Sequence, residues 1–451
     1  MNPLFDTAMA LAHVAIDMKR EGFPVDEQRR AEHGERLKKA RAAAEERFLQ
    51  VVGGKLELDG LPRDEINLDS SPQIRKLFYD VLGLPPKKAY FSKTTGIPGV
   101  NKSALRDAKI EHIGPLRDAA TALLDYREQN KYENTYVGSG YYLEPEHYGL
   151  KVFRQDKRVR FSWSPCAAET FRSTGDGQQV PKHVYDASGN ITRPGLRDMF
   201  ISPEGMTLIE ADFSQQELRK VALYAEAKGL INELTRPGGD AHRMFSQAMF
   251  KIPGDKWDPK IHKGMRDLGK TLVFAVLIYG GKPETGWRQV APKYPKLTVA
   301  FIEEAKAEAY KAIPEIPRYH TEQIRFAKQR GYTVLPNDDY KISWKFGPIG
   351  GEAIGEPENS EIINKRIQTS CAIMMNKAML RVRKALPESC KIILQVHDAL
   401  FVLVPDDYID TAARTMKAQM EQEESYLMDK MFYPVDISTG KCWGALEKWK
   451  G

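Results

Sequence analysis

Residues 391–405, KIILQVHDALFVLVP, set a His-Asp pair between two apolar runs, Ile392-Ile393-Leu394 and Leu400-Phe401-Val402-Leu403-Val404. Each run is long enough for a strand and carries β-branched residues, so the stretch reads as a hairpin with an imidazole and a carboxylate at its tip. A second apolar strand, GMTLIEADFS at 205–214, ends in acids and delivers Asp212. If hairpin and strand lie in one antiparallel sheet, Asp212 and Asp398 point at one spot. Two carboxylates so placed repel, and one protonates unless a cation lies between them. Mg²⁺ suits that place, because it takes a few carboxylates together with substrate phosphate oxygens. Two such ions about 4 Å apart can stabilise both oxygens of an in-line phosphoryl displacement. Asp also suits turns, so the pair alone leaves open that each carboxylate merely closes one.

Between the two acids lies GMRDLGKTLVFAVLIYGG, residues 264–281. It places Arg266, Lys270 and Phe274 at i, i+4 and i+8, on one helical face. Two cations in line with a ring make a docking surface for a triphosphate and a base. An amphipathic helix with a solvated basic end would show the same pattern.

The remaining chain supplies context. Helices are expected over 5–50, broken at Gly22-Phe23-Pro24, over 71–83 behind a Ser cap, and over 116–137. LKVFRQDKRVRFSWSP, from 150, alternates like a strand and leads into an irregular Gly/Gln/Ser-rich stretch. Residues 240–330 read as mostly helical with a loop at KIPGDKWDPK, 331–357 as Gly/Pro-rich with short strands, and 358–386 as one long helix. Helices first, then strands interleaved with helices, point to an α+β protein with a helical lobe inserted into a sheet-bearing one. With 67 Lys+Arg against 61 Asp+Glu, the net charge of +6 is compatible with a polyanionic partner without requiring one. The four cysteines, Cys166, Cys371, Cys390 and Cys442, form no CxxC pair or metal-ligand spacing and read as free thiols in a reducing cytosol. No apolar run is long enough to span a bilayer, and the N-terminus lacks a signal-peptide layout, so a soluble, cytoplasmic protein without a membrane partner is expected.

Three motifs in order resemble those of the family A DNA polymerases, the group of bacterial DNA polymerase I and many phage replicative enzymes. Asp212-Phe213-Ser214-Gln215-Gln216-Glu217-Leu218-Arg219 resembles the family's DYSQIELR. Arg266, Lys270, Phe274 and Tyr279-Gly280 resemble its Arg, Lys, aromatic and YG series, and Gln395-Val396-His397-Asp398-Ala399 its QVHDE. Between them, Thr170-Phe171-Arg172 resembles TGR, Gln179-Val180-Pro181 NIP, Leu196-Arg197-Asp198-Met199-Phe200 IRQAF, and Asp240-Ala241-His242 DIH; Asn364 with Gln368 matches N-x-x-x-Q, and Gly440 to Trp443 a closing G-x-x-W.

The resemblance implies a right-hand polymerase: a palm with an antiparallel sheet, helical fingers and a helical thumb. Residues 1–70 would form helices at the base of thumb and palm, 71–149 the thumb, 150–262 and 358–451 the palm, and 263–357 the fingers. It implies template-directed extension of a primer 3′ end with dNTPs, releasing pyrophosphate. Asp212, Asp398 and the backbone carbonyl of Phe213 would hold two Mg²⁺ ions, with Mn²⁺ as a substitute. Arg266 and Lys270 would grip the triphosphate, with Lys270 protonating the leaving pyrophosphate. Gln215, Glu217, His242 and Phe274 would complete the dNTP site, and Glu217 would exclude a 2′-hydroxyl. Arg172, Arg197, Tyr279, Asn364, Gln368 and His397 would contact primer-template DNA. The enzyme would act as a monomer in the cytoplasm of a bacterial or phage-infected cell. No room for a 3′–5′ exonuclease domain precedes residue 150, so any proofreading would come from another chain, and a separate exonuclease or processivity subunit is a candidate partner.

Three departures stand out. Ala399 replaces the usual Glu after the second Asp, removing a carboxylate. Four residues, AVLI, separate Phe274 from Tyr279 where the family has three. One extra residue turns Tyr279 by about 100° on an ideal helix, unless a π-bulge absorbs it, and Ile278 takes the i+4 place. GYTVLPNDDYKI at 331–342 lacks the Arg-rich run that often follows GY. Two other functions share part of this pattern. A single-subunit RNA polymerase would need a smaller residue than Glu217 beneath the sugar, and a non-catalytic nucleic-acid binder would have no need of buried acids.

Overall fold

The computed structural model describes residues 3–58, 66–92, 94–185, 191–334, 341–343, 358–422 and 431–451. These form two compact units, one of residues 1–24 with 160–451 and one of residues 25–159.

The smaller unit is helical. The long helix Glu27–Leu58 packs on Gly114–Tyr132, which is preceded by Lys102–Glu111. Ala44, Phe48, Val52, Phe78, Leu105 and Leu123 form its dry interior. Asn101 caps the Lys102 helix, its side-chain oxygen accepting from Ala104 N at 3.0 Å. Ser70 sits at the corresponding place before Ser71–Lys76 but its hydroxyl makes no cap bond; the Pro in the first turn lacks a donor to offer. The expected strand from residue 150 is a tight hairpin instead. Val152–Phe153 pairs with Arg158–Val159 around Lys157, whose φ of +56° turns the chain back.

The larger unit is built on a five-stranded antiparallel sheet. Its order is Lys391–Val396, Ala399–Pro405, Met206–Phe213, Val435–Gly440, Glu447–Lys448. Alternation decides its two faces. Ile209, Ala211 and Phe213 point with Leu400, Val402 and Val404 into a core shared with Met416 and Met420 of the Ile409–Met420 helix. Each such buried aliphatic or aromatic side chain contributes about 1.5–3 kcal/mol. Phe401, on the opposite face, stacks edge-on against Trp443, with centroids 5.5 Å apart, and Phe200 packs on the same indole. The helix Asn359–Ala385, about 40 Å long by its 27 residues, buries Ile363, Ile367, Met374 and Met379 in the same core.

Residues 240–330 are mostly helical as expected, with a loop between Met249 and Lys263 and shorter breaks at 279–282 and 291–298. The basic helix is where pattern and structure part. Lys263–Leu272 is α, but Val273–Ile278 winds as a π-helix. Of the stretch 331–357, only Tyr332–Val334 and Lys341–Ser343 are described, paired antiparallel; the rest lies outside the described residues.

Candidate active site

The central strand and the hairpin bring the two carboxylates together. Ala399 pairs with Asp212 across the sheet, and Val396 pairs with Ala399, leaving His397-Asp398 as a two-residue turn. Asp398 therefore sits at the strand end beside Asp212, and its backbone carbonyl accepts from Phe213 N at 3.3 Å. His397 holds φ +55°, a left-handed conformation rare outside glycine. The turn is stiffened from below. Gln395 donates its side-chain amide to the His397 carbonyl and accepts from the indole N–H of Trp163 at 3.0 Å.

Burial, then the charge of Asp398, pushes the Asp212 carboxyl up to about 8; Glu210 and Asp436 add to the rise. Asp398 is also raised, first by burial and then by Glu217. Acids with no compensating cation behave in this way. Glu210 and Asp436 lie on the same face, Glu210 two residues before Asp212 and Asp436 in register with it. Sequence reading missed both: Glu210 was absorbed into an apolar run, although period two places it beside Asp212, and VDISTG is too polar to signal a strand.

Glu217, in the first turn of Gln216–Tyr224, joins this site to the basic helix. One of its oxygens accepts from Arg172 and the other from the Tyr279 hydroxyl. Burial, then Glu217, raises the Tyr279 phenol well above its usual range, so it remains a donor. The π segment explains why this bond exists. It absorbs the surplus residue before Tyr279, leaves Ile278 fully buried, and returns Tyr279 toward Glu217.

The expected phosphate-binding residues gather on the next helices. Arg266 is held by Asp240, with Nε to Oδ2 at 2.7 Å and Nη2 to Oδ1 at 3.1 Å. Asp240 also caps Ala241–Met249, accepting from Arg243 N at 3.1 Å. His242 follows, its ring centroid 6.1 Å from that of Phe274. Burial, aided by Lys270 and Arg266, lowers the His242 imidazole to about 4, so it is neutral at pH 7. Lys270 is exposed.

Three of the expected contact residues carry buried polar atoms with no hydrogen-bond partner: Gln215 Oε1, His242 Nδ1 and Asn364 Oδ1. Buried polar atoms in folded proteins are nearly always paired, with protein groups or with ordered water. Gln215 is held at φ +53°, as strained as His397. Gln368 lies one turn beyond Asn364 on the long helix, half-buried. Arg197 is the most engaged of the set: its Nε donates to Val180 O at 3.1 Å and its guanidinium lies 4.4 Å from the Trp443 ring centre.

Among the described residues, no three His, Cys, Asp or Glu groups are placed to hold a metal together. The donor chemistry nonetheless fits Mg²⁺, which takes one or two carboxylates and completes its shell with water and substrate phosphate. Asp212 and Asp398 are such a pair, desolvated and mutually repelling.

The architecture is that of a DNA polymerase I polymerase domain. Residues 28–445 match the sequence pattern of DNA polymerase family A, and the chain belongs to that family. It is 25% identical over 441 residues to DNA polymerase I of Chloroflexus aurantiacus, covering 96% of this chain and 42% of that protein. With the thermostable DNA polymerase I of Thermus aquaticus it is 26% identical over 385 residues, covering 82% and 41%. The chain thus spans less than half the length of the curated relatives it matches. Among solved structures, the polymerase domain of a Mycobacterium smegmatis polymerase, in complex with primer-template DNA and dNTP, superposes with a TM-score of 0.72. That match runs at 20% identity over 97% of this chain and 70% of that one. The expected α+β polymerase fold is the fold observed.

Proposed function

We propose that this chain extends a primer 3′ end with dNTPs on a DNA template, releasing pyrophosphate. The observation that carries the reading is the Asp212–Asp398 pair, desolvated at adjacent strand ends and joined through Glu217 and Tyr279 to a basic helix. Residues 150–262 and 358–451 would be palm, 263–357 fingers and 71–149 thumb, acting as a monomer on primer-template DNA.

Members of this family are generally metal-dependent. Asp212, Asp398 and the Phe213 carbonyl would hold Mg²⁺, which when bound offsets charge on the reacting phosphate oxygens. Arg266 and Lys270 bind the triphosphate, and the Lys270 ammonium supplies the proton that the leaving pyrophosphate takes up. Neutral His242 adds a hydrogen bond to phosphate. Phe274 stacks beside sugar and base. Glu217, fixed from both sides by Arg172 and Tyr279, fills the space a 2′-hydroxyl would need. His397, Asn364, Gln368 and Gln215 line the path of primer and template.

Primer extension on a labelled primer-template with Mg²⁺, using dNTPs or NTPs, tests this directly. The expected outcome is extension with dNTPs alone, abolished in Asp398→Ala while DNA affinity stays within about threefold, as loss of a catalytic rather than a binding group requires. Extension by NTPs would favour an RNA polymerase, and tight binding without extension a non-catalytic relative.

A further inference from the structure

The surplus residue before Tyr279 is stored in the π turn Val273–Ile278, and the end of that turn is held from outside its own helix. Tyr310, on Val299–Ala312, donates its hydroxyl to Leu277 O at 3.1 Å and lies 3.5 Å from Val276 O. His320, on Glu315–Arg330, donates Nε2–H to Ile278 O at 2.9 Å. Both side chains therefore cover carbonyls at the C-terminal end of the turn, where a helix leaves them open. The two side chains also meet, with Tyr310 Oη 3.4 Å from His320 Nδ1. Burial lowers the His320 imidazole to about 4, so the ring is neutral and keeps its single proton on Nε2. Gly280 completes the fit: it turns at φ +68°, and a Cβ there would lie 3.3 Å from His320 Nδ1. Tyr279, immediately after the clasped carbonyls, is the residue that donates to Glu217.

We propose that Tyr310 and His320 are positioning residues, a two-point clasp on the π turn that sets the Tyr279 hydroxyl against Glu217 and so makes sugar selection depend on side chains outside the nucleotide site. The inference rests on the reading of Glu217 as the sugar filter, and its physical half can be measured without that reading.

The test pairs amide hydrogen exchange with dNTP-against-NTP selectivity in the full chain and in variants. A buried carbonyl that loses its donor costs roughly 1–3 kcal/mol, so about tenfold faster exchange is expected across 274–281 in His320→Leu, with 263–270 unchanged. Selectivity against NTPs should fall by a similar factor, with the KM for dNTP moving more than kcat. His320→Gln keeps a side-chain N–H donor and should restore most of both.

Unchanged exchange in folded His320→Leu overturns the clasp. Faster exchange with unchanged selectivity overturns its positioning role. If the native chain extends no primer, the sugar-filter reading fails on its own, and exchange alone decides the clasp. Should His320→Leu not fold, Tyr310→Phe carries the same two readouts, with the same results deciding.

Discussion

At the scale of single residues, the site is a place where a carboxylate is costly until a cation arrives. Asp212 has a folded-state pKa raised above that of an unfolded chain. The folded protein therefore binds more protons than the unfolded one between the ordinary carboxylate range and about pH 8, and this group's contribution to stability falls as pH rises through that window. The buried imidazoles His242 and His320, and the more exposed ring of His397, are lowered and act in the opposite sense. A difference measurement isolates the acid. In EDTA, the melting temperature of the native chain should fall relative to Asp212→Asn between pH 5 and pH 8, and Mg²⁺ should narrow the gap. Parallel curves would show that the carboxylate is not desolvated. Glu217 makes a second residue-scale prediction. With Glu217 as the proposed sugar filter, Glu217→Ala would open the space beneath the sugar and should raise NTP incorporation by about tenfold to a hundredfold. Glu217→Gln keeps the volume and should retain exclusion, with some loss of stability from the altered Arg172 and Tyr279 bonds. Equal sugar preference in all three proteins would remove the filter.

At the scale of elements, Asp240 does two jobs from one position. It caps Ala241–Met249 and orients Arg266 through two bonds. Asp240→Ala should cost about 1 kcal/mol in denaturant unfolding, whereas Asp240→Asn should recover the cap. Both should raise the KM for dNTP, because Arg266 loses its fixed orientation; a KM that follows stability instead would assign Asp240 to capping alone. Elements of this kind differ in how far the chain announces them. The hairpin and central strand were legible because continuous apolar runs of strand length, buried on both faces in the hairpin, leave few other folds, and they carry Asp212 and Asp398 with them. The π turn was legible only as one residue too many: the count showed a surplus, and packing against Tyr310 and His320 decided how it was absorbed. The Arg172–Glu217–Tyr279 linkage joins residues 45 and 62 positions apart, through side chains whose meeting no local period encodes. The alternation after residue 150 misled because a left-handed Lys157 folds the run into a hairpin.

At the scale of the whole molecule, charge rather than shape gives the most direct test. The chain carries only +6 overall, far too little to hold a polyanion by net charge spread over its whole surface. Some of its cations are also committed within the protein: Arg30 to the Val137 carbonyl at 2.8 Å, Arg219 to the Phe432 carbonyl at 3.1 Å, and Arg383 to Asp17 at 2.7 Å. On the proposed function, binding to primer-template would come from local contacts to individual phosphates, each releasing condensed counterions. Every phosphate neutralised adds about −0.9 to the slope of log affinity against log salt, so about six contacts give a slope near −5 and a loss of roughly a thousandfold between 50 and 200 mM salt. Fluorescence anisotropy of a labelled primer-template over that range measures the slope. Lys270→Ala should leave it unchanged when dNTP is absent, since Lys270 is assigned to the triphosphate rather than the duplex, and should flatten the salt dependence of dNTP binding instead. A duplex slope near zero would remove the phosphate-contact reading of the whole molecule, while a duplex slope that drops by about one in Lys270→Ala would move that lysine from the nucleotide site to the DNA path.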